Sequence, residues 1–165
     1  MSEDNFFLNI LNLDRNYRKK YLEKLNRHIE KEKWSMLPQT VNAMYQFFQN
    51  DILIPAGILR PPFFYSNDNL PISLNYGSIG SVIGHEITHA FDSTGRKFDK
   101  NGMIVKEWWS GESVKEFNQR AICFQEQYSQ YRPNEKGAIN GGQTLAENIA
   151  DNGGLLVALM AFESI

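Results

Sequence analysis

The stretch Val82-Ile83-Gly84-His85-Glu86-Ile87-Thr88-His89-Ala90-Phe91-Asp92 constrains this chain more than any other. It holds H-E-x-x-H inside a run that reads as helical, and two of the three histidines in the sequence lie in it, four residues apart. On an α-helix that spacing puts both imidazoles on one face, within reach of a single metal ion. Glu86 follows the first histidine, where a carboxylate could take a proton from metal-bound water. The flanking Val, Ile, Ala and Phe suit a protein interior, which argues against a chance match on a charged surface helix. Gly77, Gly80, Gly84 and the β-branched residues give residues 74–92 weak intrinsic helix propensity. Such a helix forms only with tertiary burial, and its small residues let neighbouring elements come close.

Two histidines do not complete a catalytic zinc site, which takes three protein ligands and an open position. His28 reads as a partly exposed residue of a separate, charged helix. Cys123 sits among Ile122 and Phe124, on what reads as the apolar side of a helix. A better candidate is Glu147-Asn148-Ile149-Ala150-Asp151, whose two carboxylates are four residues apart and share a helical face. One could bind the metal while the other accepts the free N–H of a ligating histidine and fixes its tautomer. Glu147 has a rival role, because Thr144-x-x-Glu147 is a capping box that would occupy its carboxylate at the helix N-terminus. Spacing alone leaves cap and ligand evenly matched.

The rest of the chain reads as further helices, strands and loops. Residues 13–33 read as an amphipathic helix, with Leu13, Tyr17, Tyr21, Leu25, His28 and Ile29 on one stripe and Pro38 closing the segment. Residues 41–48 and 51–54 read as two short strands joined at Asn50-Asp51. An edge strand there could hold an extended peptide through its main chain, although an ordinary hairpin covering the core is the plainer reading. Pro55, Gly57, Pro61 and Pro62 then impose an irregular loop lined by Phe63, Phe64 and Tyr65. Residues 112–131 form a second amphipathic helix with Val114, Phe117, Ala121, Phe124, Tyr128 and Tyr131 on its stripe. A last helix runs from about Thr144 to the C-terminus, apolar at Leu145, Ile149, Leu156, Leu159 and Met160.

Composition sets the outer limits. With 42% hydrophobic and 13% aromatic residues, 165 residues can bury a core, which argues against intrinsic disorder. A net charge of −2 with no basic stripe argues against a nucleic-acid partner. No apolar run is long enough to span a bilayer, and there is no signal-peptide pattern. Cys123, the single cysteine, allows no internal disulfide.

Taken together, the sequence resembles the neprilysin family of zinc metallopeptidases, which includes neprilysin and the endothelin-converting enzymes. The likeness rests on Asn42-Ala43-x-Tyr45, Pro55-Ala56-Gly57-Ile58-Leu59, Pro61-Pro62-Phe63-Phe64 and Leu74-Asn75-Tyr76-Gly77. It continues through the H-E-x-x-H run, Gly95-Arg96, Trp108-Trp109, Gly141-Gly142 and Glu147-Asn148-x-x-Asp151, from about residue 40 to 160. The resemblance implies an α+β, mainly helical fold: a zincin-like catalytic core of the gluzincin type, with a small β-sheet or hairpin at its edge. It divides the chain into an N-terminal amphipathic helix over 1–37 and a partial catalytic domain over 38–165. It implies one zinc ion held by His85, His89 and Glu147, Asp151 as the carboxylate behind a ligating histidine, and Glu86 as general base. Asn42 and Ala43 match the family's clamp on the substrate backbone.

The function so implied is zinc-dependent endoproteolysis of short peptides. The alternative is a weak or inactive fragment that keeps zinc and binds peptide. That alternative arises because the family supplies a transition-state histidine and an ordering arginine from a region downstream, and no histidine follows His89 here. The family also encloses its site with a large helical N-terminal region and pairs the Cys123 counterpart with a distant C-terminal cysteine. The chain is therefore expected to be truncated at both ends. Its parent is expected at the cell surface as a type II membrane protein, or outside the cell.

Overall fold

The computed structural model describes residues 5–25, 34–67, 69–106, 108–133 and 137–165, which fall in two compact units, Met1–Lys33 and Trp34–Ile165. In the first unit a helix, α1, spans Phe6–Leu22. It starts well before the expected residue 13 because Asn5 caps it, the Asn5 side chain accepting the Leu8 N–H at 3.0 Å. It also ends earlier than expected, with Lys19 and Lys20 in its last turn and a turn through Leu25. The rest of the expected helix, with His28 and Ile29, lies outside the described residues.

The second unit is organised on one crossing. A short helical turn α2 (Ser73–Asn75) passes through a π-helical turn (Tyr76–Gly80) into α3 (Ser81–His89) without a break. The α3 helix packs against the C-terminal helix α5 (Leu145–Glu163). Gly80 faces Ala158, Gly84 faces Gly154 and Thr88 faces Gly153, so the two helices run antiparallel. Their backbones touch: a Cβ on Gly84 would lie 2.6 Å from the Gly154 carbonyl oxygen, and one on Gly154 would lie 2.5 Å from the His85 amide. Weak helix formers therefore sit where only residues without side chains permit the approach, and burial supplies the stability that propensity lacks. The inner face of α5 is small and polar, built from Asn148, Ala150, Gly154 and Ala158. Leu156, Leu159 and Met160, read from sequence as its apolar stripe, are exposed.

The expected helix over 74–92 begins one residue earlier and stops at His89, with Ala90 as its cap. Phe91 and Asp92 lie beyond its end. The Asp92 carboxylate accepts the Thr94 and Gly95 N–H groups at 2.6 and 2.7 Å, turning the chain out of the helix. A helix α4 (Gly111–Ser129) is capped by Ser110 and turns Ala121 fully inward, with the half-buried Val114, Phe117, Phe124 and Tyr128 on the same side. Tyr128 ties it to α5, its hydroxyl accepting from the Asn152 side chain at 2.9 Å. Cys123 is exposed on α4, as is Ile122, which corrects its reading as part of an apolar face.

The two expected strands are shorter than read. β1 covers Met44–Gln46 and β2 covers Asp51–Leu53, paired antiparallel with Tyr45 opposite Ile52. Phe47 to Asn50 form the turn, closed by the Gln46 carbonyl accepting the Asn50 N–H at 2.8 Å, with Asn50 at φ 52°. Asn tolerates that left-handed conformation better than most residues, so the turn is four residues ending at Asn50, not the pair Asn50-Asp51. Phe47 is thereby free to leave the ladder and stack on Phe98, centroids 5.3 Å apart. The whole is mainly helical, with one two-stranded antiparallel sheet among the described residues.

Candidate metal centre

His85 and His89 occupy successive turns of α3 and point the same way, their Nε2 atoms 2.9 Å apart. From α5, Glu147 brings Oε2 to 3.5 Å from the first and 3.6 Å from the second. The other ring nitrogens are committed elsewhere. His85 Nδ1 lies 2.8 Å from Asp151 Oδ1, and His89 Nδ1 lies 2.6 Å from Asp92 Oδ2. With each carboxylate accepting an Nδ1–H, both Nε2 atoms present lone pairs toward each other and toward a carboxylate. Three acceptors then converge with no donor between them, an arrangement that calls for a cation. Zinc bonds of about 2.0–2.2 Å at tetrahedral angles set donor atoms about 3.4 Å apart. The two histidine–glutamate separations match that figure, and the histidine–histidine separation is shorter. These three side chains fit a zinc ion, and they are the described group of histidine, cysteine and acidic residues able to hold a metal.

The capping box is not made. Thr144 forms no side-chain cap on α5; its hydroxyl donates to the Asn140 carbonyl at 3.3 Å and accepts from the Asn148 side chain at 2.8 Å. Glu147 is left with its carboxylate facing the histidines across the Gly84–Gly154 contact.

The charges around the centre are unequal in burial. Asp92 is fully buried and Glu86 nearly so, whereas the side chains of Glu147 and Asp151 are each 65% exposed. Burial raises the Glu86 pKa; the positive ends of His85 and His89 and a hydrogen bond from the Tyr45 backbone N–H pull the other way without cancelling it. For His89, burial favours the neutral ring, yet the Asp92 hydrogen bond and the negative charges of Glu147, Asp92 and Glu86 prevail and raise its pKa. Asp92 is the converse. Burial alone would raise its pKa, but the hydrogen bonds from His89, Gly95 and Thr94 hold it below the usual carboxylate value.

Beside Glu86 lies a cavity of about 320 Å³ whose apolar wall is Ile58, Phe63 and Val82, with Asn42 at its rim. Asn42 and Ala43 precede β1 and do not belong to it; Asn42 is exposed and Ala43 buried. Reading by motif spacing passed over two contributors to this centre. Asp92 carries the signal His89-x-x-Asp92 followed by Thr94-Gly95, an aspartate that can bond back to the helix end and forward to a turn. The Tyr45 amide has no signal, since a main-chain group in a strand carries no residue type. His28 lies outside the described residues, and Cys123 has no part in the cluster.

The model of Peptidase family M13 matches residues 42–165. The chain is 46% identical over 162 residues to an endothelin-converting enzyme homolog of Locusta migratoria, covering 98% of this chain and 22% of that one. It is 48% identical over 161 residues to neprilysin-3 of Drosophila melanogaster, covering 98% and 19%. The chain thus spans about a fifth of the length of the curated relatives it matches. Among solved structures, the Mycobacterium tuberculosis zinc metalloprotease ZMP1 in complex with inhibitor superposes with a TM-score of 0.83 at 42% identity, covering 90% of this chain and 23% of that one. PepO from Lactobacillus rhamnosis gives a TM-score of 0.87 at 34% identity, covering 98% and 25%.

Proposed function

Since this chain belongs to Peptidase family M13, we propose that it forms the zinc-binding part of a metalloendopeptidase acting on short peptides. His85, His89 and Glu147 hold one zinc ion, and Asp151 and Asp92 orient the two histidines. Bound there, zinc supplies Lewis acidity, which brings the ionisation of water to about pH 7 and polarises a peptide carbonyl. The rest falls to the chain. Glu86, with its pKa raised by burial, takes the proton of the attacking water and passes it to the leaving amine. Asn42 and Ala43 hold the substrate backbone extended beside β1. The cavity walled by Ile58, Phe63 and Val82 receives an apolar side chain on the leaving side of the scissile bond. The cell-surface or extracellular setting implied by the resemblance belongs to the same proposal; among the described residues, no helix is long and apolar enough to cross a membrane.

The observation that carries this reading is the convergence of two Nε2 atoms and one carboxylate, with both Nδ1 atoms already bonded to aspartates. Its test is paired. The purified chain should retain close to one equivalent of zinc, and less than about a tenth after zinc loading and dialysis would rule the site out. Glu86→Gln should keep the zinc and lose hydrolysis of an internally quenched peptide bearing an apolar residue on the leaving side, by about 100-fold or more. Normal cleavage by that variant would remove Glu86 as the base.

A further inference from the structure

Arg96 and Trp108-Trp109 bring no side chain to the metal centre, yet the fold gathers them around a second cavity of about 520 Å³. One wall is a narrow ribbon in which Phe98 bridges Ile104 and the Lys97 carbonyl accepts the Val105 N–H at 3.1 Å. The opposite wall is the start of α4, with Val114, and the two tryptophans. The walls are braced before any ligand arrives. Trp108 donates its indole N–H to the Arg96 carbonyl at 2.8 Å, Trp109 meets Phe117 edge-on, and the Arg96 guanidinium lies 4.7 Å over the same Phe117 ring.

Three cations line this space in a chain whose net charge is −2. Lys97 and Lys106 are exposed, and neither meets an acidic side chain among the described residues. Arg96 Nη2 donates to Asn118 at 3.2 Å, but its buried Nε has no hydrogen-bond partner among the described residues. Beside these charges, Ile104 is 70% and Trp108 43% exposed, so apolar surface stands in water next to positive charge that no described acidic side chain pairs with. Such a lining recognises an anion on an apolar body. Its aliphatic floor and its volume fit one or two amino-acid side chains better than a run of phosphates.

We propose that this pocket is a second binding site, for an acidic peptide segment whose carboxylate meets Lys97 and Lys106 while a neighbouring apolar side chain packs on Trp108 and Ile104. It adjoins the metal centre along the chain, because the Asp92 carbonyl accepts the Arg96 N–H at 3.2 Å. The proposal does not depend on hydrolysis, and its test reads binding alone. Trp34, the third tryptophan, is first replaced (Trp34→Phe), so that the fluorescence of the chain reports the pocket. The probe is an acetylated hexapeptide alternating Asp or Glu with Phe or Leu, against a control with Lys in place of each acid.

The acidic peptide should give a saturable change that weakens with added salt. Lys97→Ala with Lys106→Ala should weaken it about tenfold or more, and His85→Ala should leave it unchanged. The exposed lysines carry no packing, so loss of fold is not a route to that result. The proposal is overturned by no saturable change up to about 1 mM peptide. It also falls if binding ignores the lysines, follows His85, or is tighter for adenosine monophosphate than for the peptide.

Discussion

The two histidine–aspartate pairs behind the proposed metal centre look alike in distance and differ in almost everything else. His89–Asp92 is local: three residues apart, buried, with the aspartate also accepting the Thr94 and Gly95 amides. His85–Asp151 is remote: sixty-six residues apart, on different helices, with the aspartate largely exposed. The first is held in place by its own turn. The second exists only while α3 and α5 touch, and that contact depends on Gly84 and Gly154. One half of the centre is therefore set by chain-local geometry and the other by helix packing.

Substitutions can break the halves separately. The largest effect is expected from Gly154→Val. A side chain there meets the backbone of His85 and Ser81, so α5 must move and carry Glu147 and Asp151 with it. Zinc in a dialysed sample should fall toward zero, with stability down by about 3 kcal/mol by chemical denaturation. The His89–Asp92 bond should survive as a protected Nδ1 proton in NMR spectra; its loss as well would show that the two halves are one unit.

Asp92→Ala comes next. It leaves His89 unoriented and two backbone N–H groups without their acceptor, so zinc affinity should fall by about 100-fold and stability by about 2 kcal/mol. Asp151→Ala removes an exposed partner, and a loss of about tenfold in zinc affinity should come with less than about 0.5 kcal/mol in stability. Competition titration with a chelating dye measures both. Equal stability losses for the two aspartates would erase the distinction between local and remote.

The smallest effect is a pH signature of the metal-free protein. The raised pKa of His89 means its contribution to stability is complete below the ordinary imidazole value and is lost as pH rises through the raised one. The lowered pKa of Asp92 means its contribution is present above the ordinary carboxylate value and is lost as pH falls through the lowered one. As pH rises from the ordinary imidazole value through the raised one, the wild type should therefore lose stability that Asp92→Asn does not. Parallel curves for the two would sink this account of the pair.

The same division explains what could be read from the sequence. His85, Glu86 and His89 are legible because helical spacing is local arithmetic, and the extent of α4 is legible because its apolar stripe repeats regularly up to Pro133. The choice between cap and ligand for Glu147 was not, since Thr144-x-x-Glu147 satisfies the capping pattern, whereas in the fold Thr144 bonds Asn140 and Asn148 and Glu147 faces the histidines of α3. The inner face of α5 was also hidden. Hydropathy pointed to Leu156, Leu159 and Met160, whereas close helix packing selected Gly154 and Ala158, whose merit is lack of bulk. Phe47 and Phe48 read as strand because aromatics favour strands, but Asn50 in the left-handed region drew them into the turn.

The π-helical turn at Tyr76–Gly80 has a consequence for how the gene can change. Upstream of it the Asn75 side chain bonds the Tyr65 backbone on both sides, and within it the Phe63 carbonyl of the Pro-rich loop accepts the Ile79 N–H at 2.9 Å. Downstream, the histidines must keep their angle to α5. A residue lost from a regular helix rotates everything beyond it by about 100°, which here would turn His85 away from Glu147. The wide turn carries one residue more than a regular one, and a Cβ at Gly77 would meet nothing within 4 Å. A deletion there can be absorbed by tightening π to α, leaving the phase of both ends intact. The turn is a length buffer, a place where the reading frame of the helix tolerates an edit that would be ruinous one turn later.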